Sequence, residues 1–124
     1  MKIHLNDGLP YISASLFYQN QRLELANVLL DTGSAGTILS ADRVLEVGLH
    51  YEVNDIVHRI RGVGGAEFVF TKTVDKLAIN ELQVNDFEVE IGAMDYGIDI
   101  DGIIGMDFLT LIGATIDLHR LEIY

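Results

Sequence analysis

An apolar run, Val28-Leu29-Leu30, ends abruptly at Asp31-Thr32-Gly33-Ser34. The Asp31 carboxylate therefore leaves a hydrophobic strand where the chain has to turn. Gly33 lets the backbone curl so that amide N–H groups can face the acid. Thr32, with few rotamers to lose, suits a hydroxyl anchor for the loop, and the Ser34 hydroxyl is placed to donate to Asp31. A carboxylate held this way is suited to moving protons. Hydrolysis of an amide by carboxylates alone needs two of them: one ionised to take a proton from water, the other protonated to polarise the carbonyl. Two carboxyls within hydrogen-bonding distance meet both needs, because they cannot ionise together and so share a proton.

Two further pieces follow in the chain. Asp101-Gly102-Ile103-Ile104-Gly105-Met106-Asp107-Phe108-Leu109 reads as a tight turn, two branched apolar residues, a glycine and an amphipathic turn of helix. Gly105 there permits close approach of another backbone segment. Between the two motifs, Arg61-Gly62-Val63-Gly64-Gly65-Ala66 is a glycine-rich run flanked by strand-like sequence. In this order, and over roughly residues 9–118, the pieces resemble the retropepsin-like (retroviral-type) aspartic protease family.

The resemblance implies an all-β chain folded as one retropepsin-like domain over residues 1–124, a closed antiparallel β-barrel with one or two short helices. It implies an aspartic endopeptidase acting on peptide or protein substrates, with no metal or organic cofactor. Asp31 would be the catalytic residue, Thr32 would lock two loops across an axis, and Gly33 would offer backbone N–H groups to the carboxylates. Ser34 stands where the family has Ser or Ala. Gly62, Val63, Gly64 and Gly65 would form a mobile flap, while Ile103, Ile104 and Gly105 would support the loop from beneath.

The chain holds one Asp-Thr-Gly. Asp95-Tyr96-Gly97 has the outline, but Tyr96 cannot anchor as Thr32 does and no apolar strand precedes it. The second carboxylate must then come from another copy, and a two-fold homodimer places identical residues face to face. The competing expectation is a barrel of the same kind that dimerises or binds peptides without turnover. Other motifs fail on their own terms. Gly62-Val63-Gly64-Gly65-Ala66-Glu67 starts like a dinucleotide fingerprint, but Glu67 takes the third glycine's place and a strand follows, not a helix. Ile98-Asp99-Ile100-Asp101-Gly102-Ile103 resembles a phosphatase nucleophile loop, yet too little chain follows for that fold. Asp95, Asp99 and Asp101 lack calcium-loop spacing and read as a solvated acidic loop. His4, His50, His58 and His119 are too isolated to bind a metal.

The elements that must position these residues are short. Tyr11–Phe17 and Arg22–Leu30 read as paired strands around a Gln19-Asn20-Gln21 turn, and Thr37-Ile38-Leu39 as a brief strand. Ser40 caps a helix from Ala41 to Val47, and Gly48 sits at a left-handed C-terminal position. A long strand reaches Ile79, Asn80-Glu81 turns, and Leu82–Ile91 returns with alternation from Phe87 onward. Thr115–Leu118 and Leu121–Tyr124 flank His119-Arg120 as a hairpin. Many short strands with a little helix indicate a mostly antiparallel β-barrel.

Composition narrows the function classes. In 124 residues with 49% hydrophobic content there is enough for a core. Absence of cysteine excludes disulfides, thiol catalysis and thiolate metal sites. A formal net charge of −11 makes nucleic acid a poor partner, since phosphate binding needs a basic face. No apolar run is long enough to span a membrane, and Met1–Asp7 lacks a signal peptide's apolar segment, so a cytoplasmic location is expected.

Overall fold

The computed structural model describes residues 1–62 and 65–124; Val63 and Gly64 of the expected flap lie outside the described residues. Strands β1 (His4–Asn6), β2 (Leu9–Tyr18) and β3 (Gln21–Leu30) form a meander. Asp7-Gly8 and Gln19-Asn20 both adopt positive φ at the tight turns between them, the backbone that two-residue hairpin loops require. After β4 (Ile38–Ser40), Ser40 accepts a hydrogen bond from Arg43 N and caps α1 (Ala41–Val44). The helix expected to reach Val47 tightens after Val44 into a 3₁₀ turn over Leu45–Val47, and Gly48 closes it at φ +76.

A hairpin of β5 (Val57–Gly62) and β6 (Gly65–Ile79) follows, then β7 (Leu82–Gly92), β8 (Gly102–Ile104) and α2 (Met106–Leu111). The short β9 (Ile116–Asp117) and β10 (Glu122–Ile123) pair at the end, where Met1 and Ile123 also exchange backbone hydrogen bonds. In the main sheet the order is β1-β2-β3-β8-β4-β7-β6-β5, and an additional β2–β6 pairing closes six of the strands into a ring. The barrel is therefore all-β with short helices, as expected. Two of its ladders, β3–β8 and β4–β7, are parallel. Their strands are joined by long excursions and not by hairpins, which is why local turn signals could not reveal them. The pairing of Gly102 with Val28 and Leu39 likewise makes it a strand residue, where a tight turn was expected.

The core fills the ring. On β2, Ile12, Ala14, Leu16 and Tyr18 face inward with the period of two that a strand imposes. On β3 the inward set is Leu23 and Leu25, then Val28 and Leu30. The phase changes because β3 carries one extra residue between Leu25 and Val28 opposite Ile12–Ala14, a β-bulge. Phe108 of α2 is fully buried and meets Phe87 edge-on at 5.6 Å, so α2 is pinned to the barrel by its apolar side.

Candidate active site

The bulge in β3 decides where Asp31 goes. With the phase shifted, Val28 and Leu30 stay in the core, while Leu29 packs into a second, smaller cluster with Ile38, Met94 and Ile100. Asp31, two residues on, falls on that outer side and lines a cleft. The bulge is held by Asp101. Asn27 N donates to Asp101 Oδ2 at 3.0 Å, and Asp101 N donates to Asn27 O at 2.8 Å. Asp101 is 5% exposed and its other oxygen lies 3.0 Å from Arg43. It is thus a buried, paired charge and not part of a solvated acidic loop; Asp95 and Asp99 are the exposed ones. Hydrogen bonds to Glu46 and Asp101, opposed by desolvation, raise the Arg43 pKa above its ordinary value.

The loop after β3 is stitched to β8 and the start of α2. Asp31 N donates to Ile104 O at 3.0 Å, Met106 N to Ser34 O at 2.8 Å and Asp107 N to Ala35 O at 3.2 Å. Ile103 and Ile104 run parallel to Leu29 and Leu30. Gly105 lies against the loop so closely that a Cβ there would stand 2.4 Å from Gly36 O and 2.7 Å from Ser34 O. Asp107 clamps the far end of the loop: its carboxylate accepts from Thr37 Oγ1 at 2.8 Å and Thr37 N at 3.1 Å. Thr37 Oγ1 in turn accepts from Gly105 N at 3.2 Å.

Within this frame Gly33 N donates to Asp31 Oδ1 at 2.9 Å. The Ser34 hydroxyl does not serve Asp31. It donates to Gly36 O at 2.7 Å, because the loop's tight curl leaves that carbonyl as the nearer acceptor. Thr32 and Gly33 are exposed at the loop tip, and Gly33 lines the cleft while Thr32 does not.

The cleft encloses about 650 Å³ and brings Asp31, Gly33, Ser34 and Gly36 together with Ile38, Ile103, Leu9, Ile60, Arg61, Glu90, Tyr96 and Ile98. Ile103 reaches it; Ile104 and Gly105 support from behind. Of the glycine-rich hairpin, Gly62 pairs with Gly65 at the described end, and Gly65 takes φ +101. Several side-chain bonds anchor the hairpin. At its base, Lys72 binds Glu52 at 2.7 Å and Asp55 at 2.9 Å. Burial opposes the Lys72 charge, but these two bonds outweigh it and raise its pKa. The Lys72 hydrogen bond is likewise the main reason the Asp55 pKa is lowered. Nearer the cleft, Tyr96 donates to Glu67 of β6, tying the segment after β7 to the hairpin.

Desolvation first, and this bond second, push the Tyr96 pKa upward. The folded protein then holds the phenol proton more tightly than the unfolded chain. The resulting stabilisation is complete below the ordinary tyrosine pKa of about 10 and is lost as pH rises above it. In a spectrophotometric titration, Tyr96→Phe should remove a late-titrating phenol. If the variant's curve matches the parent's, Glu67 does not hold that proton.

Glu90, Tyr96, Ile60, Ile98, Asp107 and Thr37 were not singled out by sequence. Only Asp107 carried a signal, an acid in the first turn of the helix after Ile103-Ile104-Gly105. Among the described residues no group of His, Asp or Glu is arranged to hold a metal, and no helix is long and apolar enough to cross a membrane.

A sequence model of the family described as aspartyl protease matches residues 19–108, most of the chain and, Leu9 apart, all of the cleft lining. Comparison with curated protein sequences finds no match. Among solved structures, a retropepsin-like aspartic protease from Rickettsia conorii superposes with a TM-score of 0.67 at 20% identity, covering 98% of this chain and 93% of that one. At that identity the likeness speaks for the fold. The motif, the ring of strands and the family match agree, and the chain belongs to the aspartyl protease family with a retropepsin-like fold.

Proposed function

We propose that the protein is an aspartic endopeptidase, active as a homodimer with one Asp31 from each subunit. The observation that carries this reading is the placement of Asp31. It stands at the end of an apolar strand, with a backbone N–H on one oxygen, in a cleft wide enough for peptide side chains. The loop tip at Thr32 and Gly33 is exposed, as it must be if a second copy completes the site. The paired carboxyls share one proton. The ionised one takes a proton from water as that water attacks the scissile carbonyl, and the protonated one donates to the carbonyl oxygen. The carboxyl that took the water's proton then passes it to the nitrogen as the C–N bond breaks, the other carboxylate takes one from the gem-diol, and no acyl-enzyme forms. The β5–β6 hairpin would close over the bound peptide.

A peptide-library digest over a pH series, run along a dilution series and with a statine-type mimic, tests both parts. Cleavage should be blocked by the mimic, and specific activity should fall on dilution as dimers dissociate. Activity independent of concentration in a sedimenting monomer would end the shared-site reading. A protein that binds the mimic but cleaves nothing would be a binding module.

A further inference from the structure

Glu90 has no role in the chemistry above, yet it is the second carboxylate of the cleft. It projects from β7, on the side opposite the core residues Val89 and Ile91, and its side chain is only 25% exposed. Its Oε1 lies 3.1 Å from His58 Nε2 on β5. A carboxylate only accepts, so that ring nitrogen is the donor. Among the described residues nothing donates to Oε2. Gly36 of the Asp31 loop lies against the same carboxylate: a Cβ there would sit 3.5 Å from Oε1 and 4.0 Å from Oε2. The glycine therefore keeps the acid within reach of whatever lies along the loop.

The surroundings define what would fit. Ile38, Ile60, Ile98 and Ile103 form apolar walls suited to a methylene stem. Besides Glu90, the ionisable groups on the lining are Asp31, Arg61 and Tyr96, the last kept protonated. Arg61 is exposed, so water screens its guanidinium, whereas the half-buried Glu90 acts through a lower local dielectric. A long side chain ending in a cation satisfies both the walls and the free oxygen. The net charge of −11 draws such peptides in as well.

We propose that Glu90 is a specificity-determining residue that makes the cleft prefer substrates carrying lysine or arginine close to the scissile bond. This rests on the reading of the cleft as a peptide site. Two statine-containing hexapeptides serve as probes, identical except for lysine or norleucine beside the statine. Norleucine keeps the stem and removes the charge. Calorimetry should show the parent protein binding the lysine probe roughly 10- to 100-fold more tightly, the range for one hydrogen bond to a charged group. Glu90→Gln, nearly isosteric and still an acceptor for His58, should remove that preference and leave norleucine binding unchanged. Equal affinity for the probes in the parent, or a preference that survives Glu90→Gln, overturns the proposal, as does failure of both probes to bind. Turnover by the parent is measured separately. A lysine preference without any cleavage would retain Glu90's role while removing the protease reading.

Discussion

Asp31→Asn should abolish peptide hydrolysis while leaving the fold intact. Asparagine has the same shape, and its amide oxygen still accepts the Gly33 N–H that now sits 2.9 Å from Asp31 Oδ1. What disappears is the ionisable group itself. In the homodimer both copies change at once, so neither a base for the water nor a shared proton remains. General acid–base assistance is worth about 10²–10⁴-fold for one group, so kcat should fall by at least roughly 10³-fold. The effect should appear in kcat with little change in KM for a peptide substrate, while a statine mimic, held by the same carboxyls, should bind more weakly. Circular dichroism and sedimentation should match the parent. Residual turnover near the parent's, in a preparation free of host protease, would remove Asp31 from the mechanism.

The other large effect is expected at Gly105, which does not itself line the cleft. An added methyl would meet two backbone carbonyls, Gly36 O at 2.4 Å and Ser34 O at 2.7 Å. Carbonyls of a hydrogen-bonded loop cannot swing aside as a side-chain end can. Relief would require breaking the bonds of Met106 and Asp107 to that loop, or the Gly105 N–H bond to Thr37. Overpacking usually costs about 1–3 kcal/mol. Here the upper figure applies, and Gly105→Ala should lower Tm by about 10–20 °C and disorder the Asp31 loop. Gly36→Ala is the matched control. Its methyl would meet only the Glu90 carboxylate at 3.5 Å, an ordinary contact, and Tm should hold. Equal melting of Gly105→Ala and the parent would mean that the two segments are less tightly joined than their geometry indicates.

What could be read from the chain beforehand follows from the range of each interaction. Hairpins declare themselves locally, so Gln19-Asn20 and Asn80-Glu81 marked their turns, and the period of two marked the second half of β7. Asp31 was legible because an apolar run broken by Asp-Thr-Gly is a local event. The helix after Ser40 was placed correctly at its start, where a cap is chemical, and overextended past Val44, where packing decides. β1 was missed because His4–Asn6 buries no side chain and is a strand only by pairing with β2. Glu90 was hidden for a similar reason. In the alternation from Phe87 to Ile91 it reads as a solvent-facing acid, and only the arrival of His58 from β5 and Gly36 from the loop makes it part of a cleft. Asp101 misled in the opposite sense, since Arg43 and Asn27, which neutralise and bond it, lie far away in sequence.

The extra residue in β3 gives the chain a rule of parity. Side chains of a strand alternate, so the three steps from Leu25 to Val28 would put them on opposite faces; the bulge absorbs the odd step and both face the core, while beyond it each single residue counts. Deleting Ala26 or Asn27 would remove the bulge and leave Val28 and Leu30 inward and Asp31 outward, whereas deleting Leu29, beyond the bulge, would send the acid toward the interior although Asp-Thr-Gly would still read correctly letter by letter. Length variation between the bulge and Asp31 is therefore quantised. Changes come in twos, or one is offset by a second irregularity before Asp31. Two chains with identical active-site sequences can thus differ in whether the acid meets water at all, and the difference lies in counting residues upstream.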